Sequence, residues 1–425
     1  GKVNRTTISK KRIVPSLPEG DNFTVGGCLA GLGLGSSSYT YGFFSDNVID
    51  FDIVLGSGEI IKNVSRTNNS DLYYGIPGTY GTMGIITRVK VKLIPCEKYV
   101  KINYLHYTSF EDFYYDFKDI INNKKYDFIE AFANKKEDYT IVAADFVKKV
   151  ESEKISIIKD KDILKQRHLS IYAQIANKKE YTYLRTLDYL ERYSYAAFWG
   201  HYLYTPYKIR DYAYAGLMYS LMPSKILDSS PGEGRYNISK YFHAANHIVG
   251  DYARDEYVLA TDIGVPFSKL KEAMDLTDEM TDTYPRWICP IKIEHHSDKI
   301  FCTKKPELCK DDIVFDLGIY GIKNTNISSK KINQAFEKFS FDNGMFKGFF
   351  STCYFTYEDF WNQFNKGKYD KIRKKYSAEG KFMDIFDKIN YRNKTKKKNI
   401  RSELFQFIGK RYLKQINNNR DKLIK

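Results

Sequence analysis

The sequence predicts an α+β fold, and three observations predict it. Two glycine-rich blocks enclose a predicted β-hairpin between Thr24 and Thr87. Glycine becomes rare after Pro95. Beyond that residue, strands alternate with amphipathic helices, which indicates an antiparallel sheet covered by helices on one side.

The glycine-rich blocks read TVGGCLAGLGLGSSSYTYG and NSDLYYGIPGTYGTMGIIT. Glycine lets main-chain N–H groups approach a ligand closely, and loops beside short helices form concave sets of such donors for phosphate. The alternative is a turn-rich β domain in which glycines only make corners. The spacing Gly31-Leu32-Gly33-Leu34-Gly35 is not a Rossmann fingerprint, and no P-loop Lys-Ser/Thr pair follows the glycines.

The remaining elements follow from hydrophobic periodicity. The hairpin is predicted from residues 51–55 and 59–63 around Gly56-Ser57-Gly58. Helices are predicted from Phe110 to Ile121, after Pro266, and over 328–339, each with one apolar face. Strands are predicted at 98–106, 126–132, 139–146, 256–263, 287–293, 313–320 and 348–355.

An aromatic insertion spans about 180–250 and contains AFWGHYLYTPYKIRDYAYAGLMYSLMPSKIL. It is interpreted either as plain core, or as a lid over an apolar substrate or a surface that dips into a bilayer. No run of eighteen apolar residues occurs, so no transmembrane helix is expected in this chain.

Metal binding is not predicted. His243 and His247 are four residues apart, but Ala244 replaces the glutamate of a zinc peptidase, and His295-His296 lies in a polar loop. The six cysteines form no CxxC pair; Cys302 and Cys309 are close enough to pair, but scattered reduced thiols are the simpler interpretation.

The net charge of +15 is concentrated near the C-terminus. From Asn390 onward there are twelve Lys/Arg and two Asp/Glu, which gives +10 and leaves about +5 for the rest. The tail is interpreted as a solvated extension; contact with an anionic membrane or with nucleic acid are the alternatives. Specific nucleic-acid binding is not expected.

These motifs resemble the PCMH-type FAD-binding domain of the vanillyl-alcohol oxidase superfamily. The resemblance rests on TVGG, the serine run before Tyr41-Gly42, IVLGSGEI and NSDLYYGIPGTYGTMGIIT. Later segments, YPRWICP, FDLGIYG, CYFTYEDFWNQF and KYDKIRKKYSAEGKFMDIFDKI, are similar to the Delta(24)-sterol reductases of that superfamily. The resemblance covers the chain from about Pro18 to Ile389.

The resemblance implies a domain plan. Residues 1–95 would form the FAD-binding domain, 96–390 a cap or substrate domain whose last helix returns toward the flavin, and 391–425 a basic tail. Only the second FAD subdomain is expected here, because few residues precede TVGG, so the chain is expected to be a fragment or to lack part of the flavin site. His106, in an alternating apolar strand, is the one histidine before residue 168, so FAD is expected to bind non-covalently.

The resemblance also implies FAD-dependent reduction of an isolated carbon–carbon double bond in a sterol side chain, with NADPH as electron donor. An alkene without an activating carbonyl needs a proton donor, a shaped dry pocket and a hydride from the cofactor. The alternatives are another FAD-linked oxidase or dehydrogenase, or a flavin-less protein with an interaction role. A sterol-like apolar partner would place the chain facing the cytosol, with peripheral contact to the endoplasmic reticulum or another membrane.

Site residues are assigned on the same resemblance. The catalytic candidates are Tyr354, Glu358 and Lys371, although Tyr354 and Trp361 are equally explained as packing residues. The expected substrate-channel residues are Tyr284, Trp287, Cys289 and Trp361. The expected FAD contacts are Thr24, Gly26, Gly27, Ser37, Ser38, Gly42, Gly81, Gly84, Ile85 and Thr87.

Overall fold

The structure is a computed structural model. It describes residues 1–20, 23–150, 171–176, 178–195, 258–294, 299–301, 307–309, 311–323, 325–349, 351 and 353–394.

Twelve strands in the described part of the chain form three antiparallel sheets. They are β1 (Arg12–Ile13), β2 (Val48–Val54), β3 (Ile60–Ser65), β4 (Ile85–Val91), β5 (Ile94–Pro95), β6 (Tyr99–Tyr107), β7 (Phe128–Lys135), β8 (Asp138–Val147), β9 (Tyr181–Arg185), β10 (Val258–Pro266), β11 (Arg286–Lys292) and β12 (Ile313–Ile322). The sheet orders are β1-β5, β3-β2-β4 and β10-β12-β11-β7-β8-β6-β9. The α+β class predicted from the sequence is confirmed.

The helices are mostly short. They are α1 (Lys2–Ile8), α2 (Val25–Ala30), α3 (Ser38–Tyr41), α4 (Ser70–Gly75), α5 (Phe110–Asn122), α6 (Ile171–Ala176), α7 (Thr186–Leu190), α8 (Arg192–Tyr195), α9 (Leu270–Met280), α10 (Ser329–Asp342), α11 (Tyr357–Gln363), α12 (Lys366–Lys375) and α13 (Ile385–Lys394).

The predicted hairpin is β2 and β3, joined by a glycine turn. Gly58 has φ +89°, and the Leu55 N–H donates to the Glu59 carbonyl oxygen at 2.9 Å across the turn. A positive φ is the backbone state that glycine adopts without strain, so the turn residues determine where the chain reverses. The hairpin prediction is confirmed.

The seven-stranded sheet carries helices on one face, as predicted. The apolar sides of α5, α9 and α10 supply Phe117, Leu270 and Phe336, all buried. They share one core with inward-facing strand residues such as Ile263 and Leu317. Alternation of side chains along each strand leaves the other face for a different partner.

The opposite sheet face packs against the glycine-rich segment. Leu32, Leu34 and Phe43 belong to one buried cluster with Trp287 and Cys289 of the sheet. This contact positions the candidate site, because it brings the two chemically distinctive parts of the sequence together.

The last helices return to the first part of the chain. Phe360, Tyr369 and Ile372 share a buried cluster with Phe51 and Leu72. The hydroxyl of Tyr369 lies 3.1 Å from that of Thr82, and Arg373 donates to the Thr82 carbonyl. The domain boundaries drawn from the sequence stay predictions.

The strand predicted at 348–355 is wrong: the described residues of that span form no strand. The segment after α10 instead covers the edge strand β10 without a regular ladder. The Gly264 N–H donates to the Phe346 carbonyl at 3.2 Å, and the Asp262 N–H donates to the Ser351 hydroxyl at 3.2 Å. The apolar residues that suggested a strand, Phe349 and Cys353, pack into the core beneath the last helices.

Some sequence predictions fall outside the described residues: most of the aromatic insertion, His243, His247, His295-His296, Cys302 and the tail beyond 394.

Cys28, Cys96, Cys289, Cys309 and Cys353 are buried free thiols. In the described ranges, no helix is both long and apolar enough to cross a membrane.

Candidate functional site

The predicted FAD residues fall into an exposed group and a buried group. The exposed group lies where α2 begins beside the start of β4. Thr24 caps α2, since its Oγ1 accepts from the Gly27 N–H at 3.0 Å. A Cβ built on Gly26 would lie 3.6 Å from the Ile86 Cβ. The neighbouring Ile85 is 59% exposed.

We call this surface, formed by Thr24, Gly26, Gly27, Ile85 and Thr87, the α2–β4 strip. Its glycine backbone lies at the surface, next to exposed apolar and hydroxyl side chains. The Gly27 N–H is held by Thr24 Oγ1, which leaves the Gly26 backbone as the glycine part of the strip that a ligand could approach. Glycine backbone beside an apolar surface suits a dinucleotide's phosphates and rings. This chemistry fits FAD.

The buried group shapes the glycine-rich segment. The Ser37 hydroxyl donates to the Pro15 carbonyl at 2.6 Å, and the Ser38 hydroxyl shares a 2.8 Å hydrogen bond with that of Ser16. Gly42 has φ +68°, and a Cβ there would lie 2.5 Å from Asp46 Oδ2.

Gly81 and Gly84 lie at the approach to β4. Gly81 has φ +77° and open space around its Cβ position, where Lys388 Nζ would be the nearest atom at 3.6 Å. A Cβ on Gly84 would lie 2.7 Å from the Val54 carbonyl oxygen, so this glycine permits close packing of β4 on β2. The ten FAD contacts stay predictions.

Trp287 and Cys289 lie on the sheet face that meets the glycine-rich segment. The Cys289 thiol donates to the Gly35 carbonyl at 3.4 Å, and Trp287 Nε1 donates to Glu130 Oε2 at 2.9 Å. Both side chains are buried. Their position is compatible with a substrate channel, which stays a prediction.

A buried ionic network anchors this contact. Arg192 Nη2 lies 2.8 Å from Glu130 Oε1 and 3.4 Å from Glu19 Oε1. Glu19 Oε1 accepts from the Ser36 N–H at 2.6 Å and from its hydroxyl at 2.5 Å. Burial raises the pKa of Glu19, whereas Arg192 opposes that rise. The network ties the N-terminal loop, the glycine-rich segment and β7 together.

A second group of acids lies on the same sheet face. Unlike Glu19 and Glu130, these acids are not paired with any arginine that the structure describes. Asp262 of β10 is opposite Gly318 of β12, and Asp316 is opposite Gly264. The two acids are therefore diagonal neighbours on one face, and their Cα atoms lie roughly 7–8 Å apart across the two paired strands. Asp262 is 1% exposed and Asp316 is 6% exposed.

Among the described residues, neither oxygen of Asp262 nor Oδ2 of Asp316 has a hydrogen-bond partner that satisfies distance and angle, although the Ser351 hydroxyl is near Asp262. Burial raises the pKa of Asp262 to about 7, although Lys347 and Ser351 oppose the rise. Burial and the nearby Asp262 raise the pKa of Asp316 well above its ordinary value. Buried polar groups normally have hydrogen-bond partners, so a pair of such carboxyls requires an explanation.

The nearest buried cation is already engaged. Lys347 Nζ lies 3.2 Å from Glu337 Oε1 and 3.0 Å from Asn333 Oδ1. With Asp262 and Asp316, this group contains three carboxyls for one ammonium. Two uncompensated buried charges would be costly, so at least one aspartate retains its proton.

Tyr80 also faces this group. Its buried hydroxyl has no hydrogen-bond partner that satisfies distance and angle, although the Phe349 amide is near. Burial, with smaller contributions from Cys353, Asp262 and Asp316, raises the pKa of this phenol well above its ordinary value.

A small cavity of about 30 Å³ lies against Asp316. Apolar side chains dominate its wall, including Leu32, Leu34, Phe43 and Phe346. This volume suits a water molecule or a methyl branch, so a larger substrate requires movement of the wall.

The predicted catalytic residues are dispersed. Glu358 and Lys371 are exposed on α11 and α12. Tyr354 is half-buried, and its N–H donates to Glu337 Oε1 at 2.9 Å. That contact places the Tyr354 backbone beside the acidic group, and the assignments of all three remain predictions.

The other two substrate candidates lie elsewhere. Tyr284 packs in the core on the helix-covered sheet face, with its hydroxyl donating to Asp278. Trp361 is buried beneath the last helices and packs on Tyr369, with ring centroids 5.1 Å apart. The structure therefore brings Trp287 and Cys289 together but not Tyr284 or Trp361 with them.

The sequence analysis did not identify Asp262, Asp316 or Tyr80. The available signal was an acid inside an otherwise apolar strand, as in VLATDIGV and IVFDLGIY. A single acid in such a strand is ambiguous, and only the pairing of β10 with β12 shows that the two acids share a face.

Comparison with known proteins identifies an FAD-binding domain and relatives over most of the chain. The sequence model of the FAD binding domain matches residues 1–63. Delta(24)-sterol reductase of Pisum sativum is 26% identical over 439 residues, covering 93% of this chain and 72% of that protein. The Homo sapiens Delta(24)-sterol reductase is 25% identical over 395 residues, covering 92% and 72%. Cytokinin dehydrogenase 4 of Oryza sativa subsp. japonica is 38% identical over 104 residues, which cover 24% of this chain and 20% of that protein.

The chain is therefore an FAD-dependent oxidoreductase with a PCMH-type FAD-binding domain. Within that class, its relatives over most of its length are Delta(24)-sterol reductases of plants, mammals and a nematode, at modest identity. The resemblance identified from the glycine and late-chain motifs is confirmed.

Proposed function

We propose that this protein reduces the isolated side-chain double bond of a Delta(24)-sterol, with FAD as its cofactor and NADPH as the electron donor. The observation that supports this is the extent of the similarity. The Pisum sativum sterol reductase matches 93% of the chain, whereas the cytokinin dehydrogenase matches 24% of it. Similarity that includes the seven-stranded sheet favours a shared substrate class, because that sheet belongs to the region proposed as the cap or substrate domain.

The substrate sets the chemical requirements. An isolated alkene has no carbonyl to accept electron density, so a proton must be added to one carbon while the tertiary centre at the other carbon accepts a hydride. Bound FAD, once reduced, supplies that hydride. The protein must bind the cofactor, present a proton donor and exclude water.

The described residues can meet these requirements. The α2–β4 strip offers the Gly26 backbone and the hydroxyls of Thr24 and Thr87 to the cofactor, while the Gly27 N–H holds the helix cap. The sheet face offers a mostly apolar cavity wall that includes Asp316. Apolar walls exclude water and so protect a developing carbocation from capture.

The test is a pair of half-reactions on the full chain after addition of FAD. Anaerobic NADPH should bleach the flavin absorbance, and a Delta(24)-sterol should restore it and yield the saturated side chain, detected by mass spectrometry. Flavin that NADPH does not reduce, or that the sterol does not reoxidise, contradicts the proposal. Oxidation of a cytokinin with an artificial acceptor would favour a different flavin dehydrogenase, and a chain that binds no FAD would favour an interaction role.

We also propose peripheral membrane contact, because sterols partition into bilayers and the sequence from Asn390 onward carries +10. Sedimentation with vesicles should show binding that increases with anionic lipid and decreases with salt. Equal binding to neutral vesicles at high salt would contradict an electrostatic contact with the basic tail.

A further inference from the structure

We propose that Asp316 is the acid that protonates the substrate alkene and that Asp262 keeps the proton on it. This inference rests on the proposed function, because it names the proton donor of that same reaction. The geometry points to Asp316 through four observations: its burial, its unpartnered oxygen, its place in the cavity wall and its acidic neighbour.

Position distinguishes Asp316 from the other acids on this sheet face. Asp316 is a lining residue of the apolar cavity, whereas Glu130 is engaged by Arg192 and Trp287. Asp316 Oδ2 accepts no hydrogen bond among the described residues. A protonated carboxyl in such a place can orient its O–H toward a bound alkene carbon.

Protonation of Asp316 follows from its surroundings. The titratable groups that interact with Asp316 are Asp262 on β10, Cys289 on β11 and Tyr80 in the glycine-rich segment. Lys347 and Cys353, after α10, act on Asp262, and Glu130 on β7 acts on Cys289. Lys347 is the nearest cation, and its effect is on Asp262. When two carboxyls interact and one is stabilised by a cation, that carboxyl ionises first, and its negative charge keeps the proton on the other.

The roles therefore differ. Lys347 and Ser351 favour the ionised form of Asp262, and an ionised Asp262 favours the protonated form of Asp316. Asp262 acts through Asp316 and is a positioning residue, whereas Asp316 is the catalytic residue. Lys347 itself is held by Glu337 at 3.2 Å and by Asn333, so it can act on Asp262 as a fixed charge.

The π electrons of the alkene form a C–H bond to the Asp316 proton, which leaves an Asp316 carboxylate and a cation at the tertiary carbon. The cation is quenched by the hydride that reduced FAD supplies. The carboxylate then regains a proton from water before the next turnover.

The experiment uses the FAD-loaded full chain and the isosteric variant Asp316→Asn. The NADPH half-reaction should be unchanged, while sterol-dependent reoxidation of the flavin should slow by about 100-fold or more, the usual contribution of a general acid. A reoxidation rate within about threefold of the parent would overturn the assignment. Loss of both half-reactions, with a lowered melting temperature, would also overturn it, since it would assign Asp316 a structural role.

A second measurement does not depend on turnover. Infrared spectra in D₂O at about pH 8, above the pKa of about 7 of Asp262, should show the C=O stretch of a protonated, solvent-shielded carboxyl, and Asp316→Asn should remove it. A persistent band in that variant would overturn the proposal. If the parent enzyme fails to reoxidise with any Delta(24)-sterol but keeps this band, the proposed function fails while the protonation of Asp316 stands.

Two further variants separate roles. Asp262→Asn should retain the infrared band but move its disappearance to lower pH, because the neighbouring negative charge is gone. Tyr80→Phe removes the other buried O–H and should leave the band and reoxidation within about threefold; loss of reoxidation in this variant alone would assign the proton to Tyr80. Thr261→Val is the matched control, since Thr261 is the buried neighbour of Asp262 on the opposite sheet face.

Discussion

Asp262→Asn should remove a pH-dependent loss of stability. Burial raises the pKa of Asp262 from 3.8 to about 7 in the folded protein. Below pH 4 the folded and unfolded states both bind the proton, so its contribution is fully present. Between pH 4 and 7 the unfolded state loses the proton first, and the free energy of unfolding falls.

The magnitude follows from the two pKa values. A rise from 3.8 to about 7 corresponds to about 4 kcal/mol, lost by the time the pH passes 7. Urea unfolding of the parent and the variant, followed by circular dichroism from pH 4 to 8, measures it. Between pH 4 and 8, the free energy of unfolding of the parent should fall by about 4 kcal/mol relative to that of the variant. The other titrating groups are common to both proteins, so their contributions largely cancel.

The companion effect has the same sign. Without the Asp262 charge the pKa of Asp316 falls, which reduces a second loss of stability at high pH. Thr261→Val should show a pH-independent difference from the parent, because its hydroxyl is buried, unpartnered among described residues and does not titrate. If the parent and Asp262→Asn stay parallel within about 1 kcal/mol from pH 4 to 8, Asp262 has an ordinary pKa and the reasoning is refuted.

Three further predictions concern the frame of the site. Arg192→Met should cost about 3–5 kcal/mol in urea unfolding because it strands buried carboxylates, whereas Arg185→Ala, at a half-exposed ion pair, should cost less than about 1 kcal/mol; equal losses would contradict this. Gly35→Ala should lower the melting temperature sharply, since its Cβ would lie 2.1 Å from a backbone oxygen, whereas Gly367→Ala in the first turn of α12 should raise it or leave it unchanged. Thr24→Asn should keep the helix cap and FAD affinity in flavin titrations, whereas Thr24→Val should weaken both; loss of affinity in the Asn variant would mean that the hydroxyl itself contacts FAD.

Local signals explain what the sequence could predict. The hairpin was predictable because Gly56-Ser57-Gly58 decides its turn within a few residues. The helix α5 was predictable because its apolar residues recur at helical spacing and Ser109 accepts from the Asp112 N–H as an N-cap.

Long-range pairing explains what it could not. Arg286 of β11 pairs with Ala133 of β7, more than 150 residues away, and no local pattern encodes that register. The acidic pair could not be predicted for the same reason, because Asp262 and Asp316 become neighbours only when β10 pairs with β12. The strand predicted at 348–355 failed for a related reason: Phe349 and Cys353 are buried by the returning helices, not by a sheet.

The returning helices also have a consequence for the order of events during synthesis. The core around β2 and α4 is completed by residues as late as Tyr376 and Ile385. A ribosome adding 5–20 residues per second needs roughly 15–60 s to make the three hundred residues between Gly84 and Ile385. During that interval the core of the glycine-rich part is incomplete, so its apolar face stays exposed until the late helices have been synthesised.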